Sequence, residues 1–278
     1  MQTLWFITNP NSGSTSQEKC DAIEAGFAAQ GLKLMGRTLF PDDVLPEAAA
    51  LDAAGVDTVV LFAGDGTINA TLSKLANWRG DFLVLPGGTM NLLAKALHTE
   101  LDPVTIVRVA QTSSHRVALP YVEAGRNRAY VGLILGPVGH WVTAREAVRK
   151  GRLGRILPAI RIAWRKTFGR GIRIGGAKGL RERYQAVLIS PAADKGLDVA
   201  AIEARDWTSI AELGWDWLTG DWVAARAVTK SHAMTLQVYG KHAIHALFDG
   251  EPVRLEPGVQ IVGGVTHQGF ISTRDVTP

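Results

Sequence analysis

The stretch Thr58-Val59-Val60-Leu61-Phe62-Ala63-Gly64-Asp65-Gly66-Thr67-Ile68-Asn69 decides how this chain folds. Its first half is apolar or β-branched without alternation, the pattern of a strand buried on both faces. The run ends at Gly-Asp-Gly, and helical spacing takes over across Thr67–Asn77. Three more short runs behave alike: Leu4–Thr8, Leu32–Leu39 and Phe82–Leu85. Between and after them the spacing is helical at Gln17–Gln30, Val44–Ala54, Asn91–His98 and Val104–Ala110. Buried-type strands alternating with helices predict a parallel, doubly wound α/β sheet over residues 1–115.

Beyond residue 116 the texture changes. Short β-type runs follow at Arg116–Glu123, Ala129–Leu135, Gly171–Gly175, Gln185–Ile189, Leu197–Ile202, Ala233–Tyr239, Ala243–Phe248 and Gln260–Val262. Apart from a basic segment and Thr208–Leu218, helices are few, so residues 116–278 are expected to form a β-rich, antiparallel, sandwich-like domain. A cleft is expected between the two. Composition agrees with this class: 278 residues, 46 % hydrophobic and 20 % charged, exclude a disordered or fibrous chain. The lone Cys20 excludes an internal disulfide framework and fits a reducing compartment. No apolar run reaches the roughly 18–20 residues of a membrane span, and no signal peptide is visible, so a cytoplasmic protein is expected.

Three glycine-bearing loops follow strands of the first sheet: Asn9-Pro10-Asn11-Ser12-Gly13-Ser14, Gly64-Asp65-Gly66-Thr67-Ile68-Asn69 and Pro86-Gly87-Gly88-Thr89-Met90-Asn91. In an open α/β sheet such loops converge at the carboxyl ends of the strands, where ligands bind. Gly64, Gly66, Gly87 and Gly88 let backbone N–H groups approach an anion with no Cβ in the way. Thr67 and Thr89 stand where helices begin, able to cap them or to bond a phosphate oxygen. Asp65 is an acid beside an expected phosphate. Repulsion disfavours it there unless Mg²⁺ or a hydrogen-bonded loop compensates. The loops also read as ordinary turns one at a time, and the set is neither a Walker A loop nor a GxGxxG fingerprint.

Taken with Asp249-Gly250-Glu251-Pro252 late in the chain, these loops resemble the diacylglycerol kinase catalytic-domain superfamily of soluble bacterial lipid kinases and sphingosine kinases. The resemblance implies a nucleotide-binding α/β domain, a lipid-binding β-rich domain, ATP and Mg²⁺. It implies phosphorylation of a hydroxyl of diacylglycerol or a related lipid in the interdomain cleft. It assigns nucleotide contacts to Asn9, Asn11, Ser12 and Gly13 of the first loop and to Thr38 at the end of the second strand. Gly64, Asp65, Gly66, Thr67 and Asn69 of the second loop, and Gly88, Thr89 and Asn91 of the third, complete the set. Asp65 would organise Mg²⁺, and Asp249 would act as general base with Glu251 as alternate or helper. On its own residues, Asp249-Gly250 between apolar runs is equally a plain hairpin turn.

Several positions depart from the family pattern. Ala63 replaces a glycine ahead of the loop, Ala70 an acid after Asn69, and Leu92 an Asp after Asn91. In Pro191-Ala192-Ala193-Asp194-Lys195-Gly196-Leu197-Asp198-Val199 the resemblance implies an Asp-Gly pair holding a structural Mg²⁺, with Lys195 standing in the acid's place. A lysine cannot ligate a metal, so no metal is expected there, and the Lys195 ammonium is expected to stand in for it.

The net charge of +4 conceals 13 Lys/Arg against 2 Glu between Arg145 and Arg183, leaving the remainder acidic. Leu153, Ile156, Leu157, Ile160, Trp164 and Phe168 recur at helical spacing among Arg152, Arg155, Arg161, Arg165 and Lys166. This pattern suits a basic amphipathic helix at an anionic membrane surface, placing the protein peripherally at the inner face, and equally a helix packed on its own domain. Aromatic residues fall on the apolar stripe rather than among the bases, and no zinc spacing is present, so nucleic acid is not an expected partner. The sequence leaves homodimer formation open. An NAD kinase-like enzyme, or a catalytically weakened lipid- or nucleotide-binding module, are the alternatives.

Overall fold

A computed structural model describes residues 1–112, 114–136, 171–180, 183–202, 228–240 and 242–274. The basic segment Arg152–Lys166 and the helical stretch Thr208–Leu218 lie outside the described residues. The chain groups into two units, Met1–Leu119 together with the chain from Val265 onward, and Pro120–Gly264.

The first unit begins β1 (Thr3–Thr8), α1 (Gln17–Ala29), β2 (Lys33–Leu39), α2 (Ala48–Ala53), β3 (Thr58–Ala63), α3 (Asp65–Lys74), β4 (Asp81–Pro86), α4 (Leu92–Leu97), α5 (Pro103–Thr112) and β5 (His115–Val117). β2 and β3 flank β1, and β4 pairs with β3, all in parallel. Every residue of β3 is buried, as an uninterrupted apolar strand requires when both faces are covered. On one face Leu4, Phe6, Val60, Phe62, Leu83 and Leu85 pack against Ile23 and Phe27 of α1 and Ile106 and Val107 of α5. Phe6 and Phe27 meet edge to face at 5.4 Å. Val59, Leu61 and Val84, which alternate to the opposite face, are fully buried too. Ser16 caps α1 by accepting the Lys19 N–H, which fixes where the first loop gives way to helix.

The second unit is all strand among the described residues. It comprises β6 (Pro120–Ala124), β7 (Asn127–Ala129), β8 (Leu133–Leu135), β9 (Arg173–Gly175), β10 (Ala186–Pro191), β11 (Leu197–Ile202), β12 (Val228–Ala233), β13 (Thr235–Tyr239), β14 (Ile244–Phe248), β15 (Glu251–Leu255) and β16 (Gln260–Val265). One sheet runs β12-β11-β10-β8-β14-β15 and the other β7-β6-β16-β13-β9. Both feed one apolar core, with Val187, Ile189, Val199 and Phe248 from the first and Val122, Ile174, Leu236 and Ile261 from the second. The expected antiparallel, β-rich architecture is what forms.

Two expected strands are each broken in two. Arg116–Glu123 splits into β5 and β6, and Ala129–Leu135 into β7 and β8. The second break has a visible cause, because the backbone of Tyr130–Gly132 turns its N–H groups onto Asp249 instead of a neighbouring strand. The last strand, β17 (Gly269–Ser272), lies in the first sheet, parallel to β4 and antiparallel to β5. Residues 116–119 and those from 265 onward, which a division at 115/116 places in the second domain, group with the first unit. Phe270 stacks on Phe82 at 5.4 Å, and a polar staple holds the seam. His98, buried after α4, bonds Val84 O through Nε2 and Thr273 Oγ1 through Nδ1, each at 2.9 Å. Burial pulls its pKa down to about 4, so the ring is neutral, with Nε2–H donating and Nδ1 accepting.

Candidate active site

The three loops of the first unit are bonded to one another. Ser12 Oγ accepts the Gly64 N–H at 2.9 Å, and Asn9 Nδ2 donates to Thr67 Oγ1 at 2.8 Å, joining the first loop to the second. The Ser14 hydroxyl donates to Gly88 O at 2.9 Å and that of Thr15 to Gly87 O at 3.1 Å, joining the first to the third. Asp65 Oδ1 accepts the Leu92 N–H at 3.0 Å, joining the second to the third and satisfying the first donor of α4. Of the two ways to tolerate an acid among phosphate-type loops, the hydrogen-bonded loop is therefore present. The Leu92 departure leaves this backbone bond intact.

Within loops, Asn9 Oδ1 accepts the Asn11 N–H at 2.8 Å and Asn91 Oδ1 the Gly88 N–H at 2.7 Å. Asn91 sits in the left-handed region at φ 52°, which Asn tolerates better than most residues. Close backbone approach explains the glycines. A Cβ on Gly88 would stand 2.7 Å from Gly64 Cα, one on Gly87 2.6 Å from Ala63 N, and one on Gly13 2.6 Å from Thr89 Oγ1. Ala63 is fully buried at the end of β3, so its methyl group is accommodated inside. Asn11, Gly13 and Thr89 are exposed, and Asn9, Ser12, Gly64, Asp65, Gly66, Asn69 and Asn91 half-buried. What results is a rim of glycine backbone and short polar side chains at the carboxyl ends of β1, β3 and β4.

Thr38 stands apart from this network. It is buried at the end of β2, and its hydroxyl accepts the Trp5 indole N–H at 2.9 Å. Ser14 and Thr15 are the functional-looking residues the sequence reading misses. The hydroxyl-rich run Ser12-Gly13-Ser14-Thr15-Ser16 was the available signal.

In the second unit, Asp249 and Gly250 form the two-residue turn between β14 and β15, with φ of 47° and 89°. The hairpin reading of Asp-Gly is correct as local structure. Asp249 is nonetheless more than a turn-former. Its Oδ2 accepts the Tyr130 N–H at 2.7 Å, and its Oδ1 those of Val131 and Gly132, both at 2.9 Å. In return the Asp249 N–H donates to Gly132 O at 3.0 Å. The carboxylate is thus held in a backbone nest while only 9 % exposed. Glu251, half-buried, opens β15 opposite Phe248. Beside the nest, Arg128 lies 4.4 Å above the Tyr121 ring and pairs with Glu123. Burial pushes the Tyr130 phenol up to about 12, opposed by Arg128 and reinforced by Asp249.

Residues 3–121 match the model of the diacylglycerol kinase catalytic domain. A "Probable lipid kinase YegS-like" protein of Xanthomonas oryzae pv. oryzae (strain MAFF 311018) is 27 % identical over 279 residues, spanning 87 % of this chain and 88 % of its own. One of the same name from Stenotrophomonas maltophilia (strain K279a) is 26 % identical over 287 residues, 90 % of each chain. Among solved structures, a diacylglycerol kinase from Bacillus anthracis str. Sterne shares the fold with a TM-score of 0.66, across 98 % of this chain and 97 % of that one, at 16 % identity. The likeness to the diacylglycerol kinase catalytic domain thus covers residues 3–121, and the likeness to the lipid kinase-named relatives runs over most of the chain.

Proposed function

We propose that this protein is an ATP-dependent lipid kinase that phosphorylates a hydroxyl of diacylglycerol or a related lipid. The observation that carries the reading is the three-way bonding of the glycine loops into one rim. Three separate turns would have no reason to be tied by Ser12–Gly64, Ser14–Gly88 and Asp65–Leu92 bonds. The curated relatives, named as lipid kinases, support the lipid rather than a dinucleotide as acceptor.

Phosphoryl transfer depends on positioning and charge neutralisation more than on covalent help. Gly13, Gly64 and Gly88 let the three loops close up on one another, and the rim they form at the strand ends would carry a triphosphate. Asn9, Asn11, Ser12, Gly66, Thr67, Asn69, Thr89 and Asn91 would surround it, with Thr38 towards the rest of the nucleotide. Asp65 would hold Mg²⁺, which binds through one or two carboxylates plus substrate phosphates and needs no larger acidic cluster. The metal would supply neutralisation of phosphate charge. Asp249, fixed by three backbone donors, would accept the proton of the attacking hydroxyl, with Glu251 assisting. The basic stretch between residues 145 and 183 supports attachment to an anionic membrane surface on charge alone, at the inner face.

The test is ATP consumption by the purified chain with Mg²⁺ and, separately, a short-chain diacylglycerol, a sphingoid base and NAD. Turnover with one of the lipids is expected. Turnover with NAD alone would replace the reading with an NAD kinase-like enzyme. ATP binding without any turnover would leave a binding module.

A further inference from the structure

The family resemblance implies a structural metal in the loop between β10 and β11, and the residues here do not fit one. The turn is closed internally: Ala192 N–H donates to Gly196 O at 3.0 Å, Lys195 N–H to Ala192 O at 3.2 Å, and Gly196 N–H to Asp194 Oδ1 at 2.9 Å. Lys195 occupies the left-handed position of the turn at φ 67°. On one side, the carbonyls of Lys195 and Gly196 lie so close to β16 that a Cβ on Gly263 would stand 2.3 and 2.6 Å from their oxygens. Among the described residues no group of three or more His, Cys, Asp or Glu side chains is arranged to hold a metal ion.

A side chain takes up the position between the loop's carboxylates instead. His232 stands opposite Asp198 in the β11–β12 pairing and reaches back over the turn. Its Nδ1 is 3.0 Å from Asp198 Oδ1, and its Nε2 is 3.0 Å from Asp194 Oδ2. Gly196 makes room for the ring, because a Cβ there would come within 2.5 Å of Nε2.

We infer that the imidazolium of His232 is the resident cation of this loop, bridging Asp194 and Asp198 where relatives would bind a divalent metal. A neutral imidazole has one N–H and one lone pair, so it can serve only one of two facing carboxylates. Protonated, it donates to both. Asp194 from the turn and Asp198 from β11 are the charged groups that face the ring among the described residues, and both favour the proton. The Asp198 bond raises the His232 pKa first, with desolvation opposing and Asp194 adding. The expectation that Lys195 supplies the substitute charge is thereby corrected, since the bridging group is a cross-strand neighbour 34 residues from Asp198. This inference concerns only the second unit and holds whether or not the chain turns over a lipid.

The experiment uses the full chain without nucleotide. At pH 6, two-bond ¹H–¹⁵N correlations of His232 are expected to show both ring nitrogens protonated, and millimolar Mg²⁺, Ca²⁺ or EDTA to leave the melting temperature unchanged. His232→Ala, which leaves two neighbouring carboxylates uncompensated, is expected to melt lower and to regain part of the loss in Mg²⁺ or Ca²⁺. Asp194→Asn, a milder change, is expected to move the His232 titration midpoint down. A singly protonated His232 at pH 6, an unmoved midpoint in Asp194→Asn, or a wild-type melting shift on adding divalent ions would overturn the inference.

Discussion

Replacing Asp249 by Asn separates what the carboxylate does for the fold from what it does for chemistry. The backbone tolerates the change, because Asn is as comfortable as Asp at φ 47°. The side chain does not. Asp249 offers one oxygen to Tyr130 N–H and the other to the Val131 and Gly132 N–H groups. A carboxamide keeps one oxygen, best spent on Val131 and Gly132, which leaves its NH₂ facing the Tyr130 N–H, donor against donor. Bonds to a charged acceptor contribute about 1.5–3 kcal/mol, and neutral ones about 1 kcal/mol. One bond lost and two weakened therefore cost about 3–5 kcal/mol at this buried site. With a urea dependence of about 2 kcal/mol per molar, the transition of the second unit should move down by about 2 M. Urea unfolding read by intrinsic fluorescence measures it, and kinase activity is then compared well below the new transition, where the variant is folded. No turnover with unchanged ATP binding is expected. A transition that does not move would refute the nest. Full turnover by a folded variant would refute the base.

The remaining predictions concern the first unit. Gly88→Ala should abolish ATP binding with little change in far-UV dichroism, since the new methyl meets the Gly64 backbone at 2.7 Å and one of the two loops must give way. Binding at wild-type strength would show that the rim is not the nucleotide site. Ser12→Ala removes the Ser12–Gly64 tether and about 1 kcal/mol, so ATP affinity measured by calorimetry should fall by about fivefold. An unchanged affinity would mean the tether does not shape the site. His98 should make the first unit acid-sensitive. Its folded pKa of about 4 lies below the ordinary 6.5, so the unfolded chain takes up a proton that the folded one refuses. Its contribution is complete above pH 6.5 and shrinks as pH falls towards 4, by at most about 3 kcal/mol. Urea unfolding at pH 7 and pH 4.5 should show a steeper loss in wild type than in His98→Gln, and parallel losses would refute the buried neutral ring.

Much of the first unit was legible because its strands are uninterrupted apolar runs that end in glycine loops. Thr58–Ala63 and Leu4–Thr8 announce burial without knowledge of their partners, and the expected α/β sheet follows from them. What stayed hidden depends on distant partners. Phe270 belongs to the first sheet because it stacks on Phe82, a neighbour nothing nearby in sequence reveals. The hydroxyls of Ser14 and Thr15 find carbonyls 74 and 72 residues away. β15 escaped notice because Pro252 argues against a strand, yet β15 is an edge strand, where the missing donor is tolerated. The Asp249 turn was legible as a hairpin, but its three donors come from about 118 residues upstream. The sequence pointed to Lys195 and held no sign of His232, because adjacency in sequence is visible and adjacency across a strand pair is not.

The return of the final strand into the first sheet has a consequence for biosynthesis. A ribosome delivers the first four parallel strands long before Gly269–Ser272 emerges, and for that interval one side of β4 has no β17 to pair with. The nascent chain must shield that bare flank while the whole inserted β-rich unit is being made. A stop codon ahead of residue 269 would therefore release a product with a sticky, half-built sheet, even though every glycine loop had already been translated.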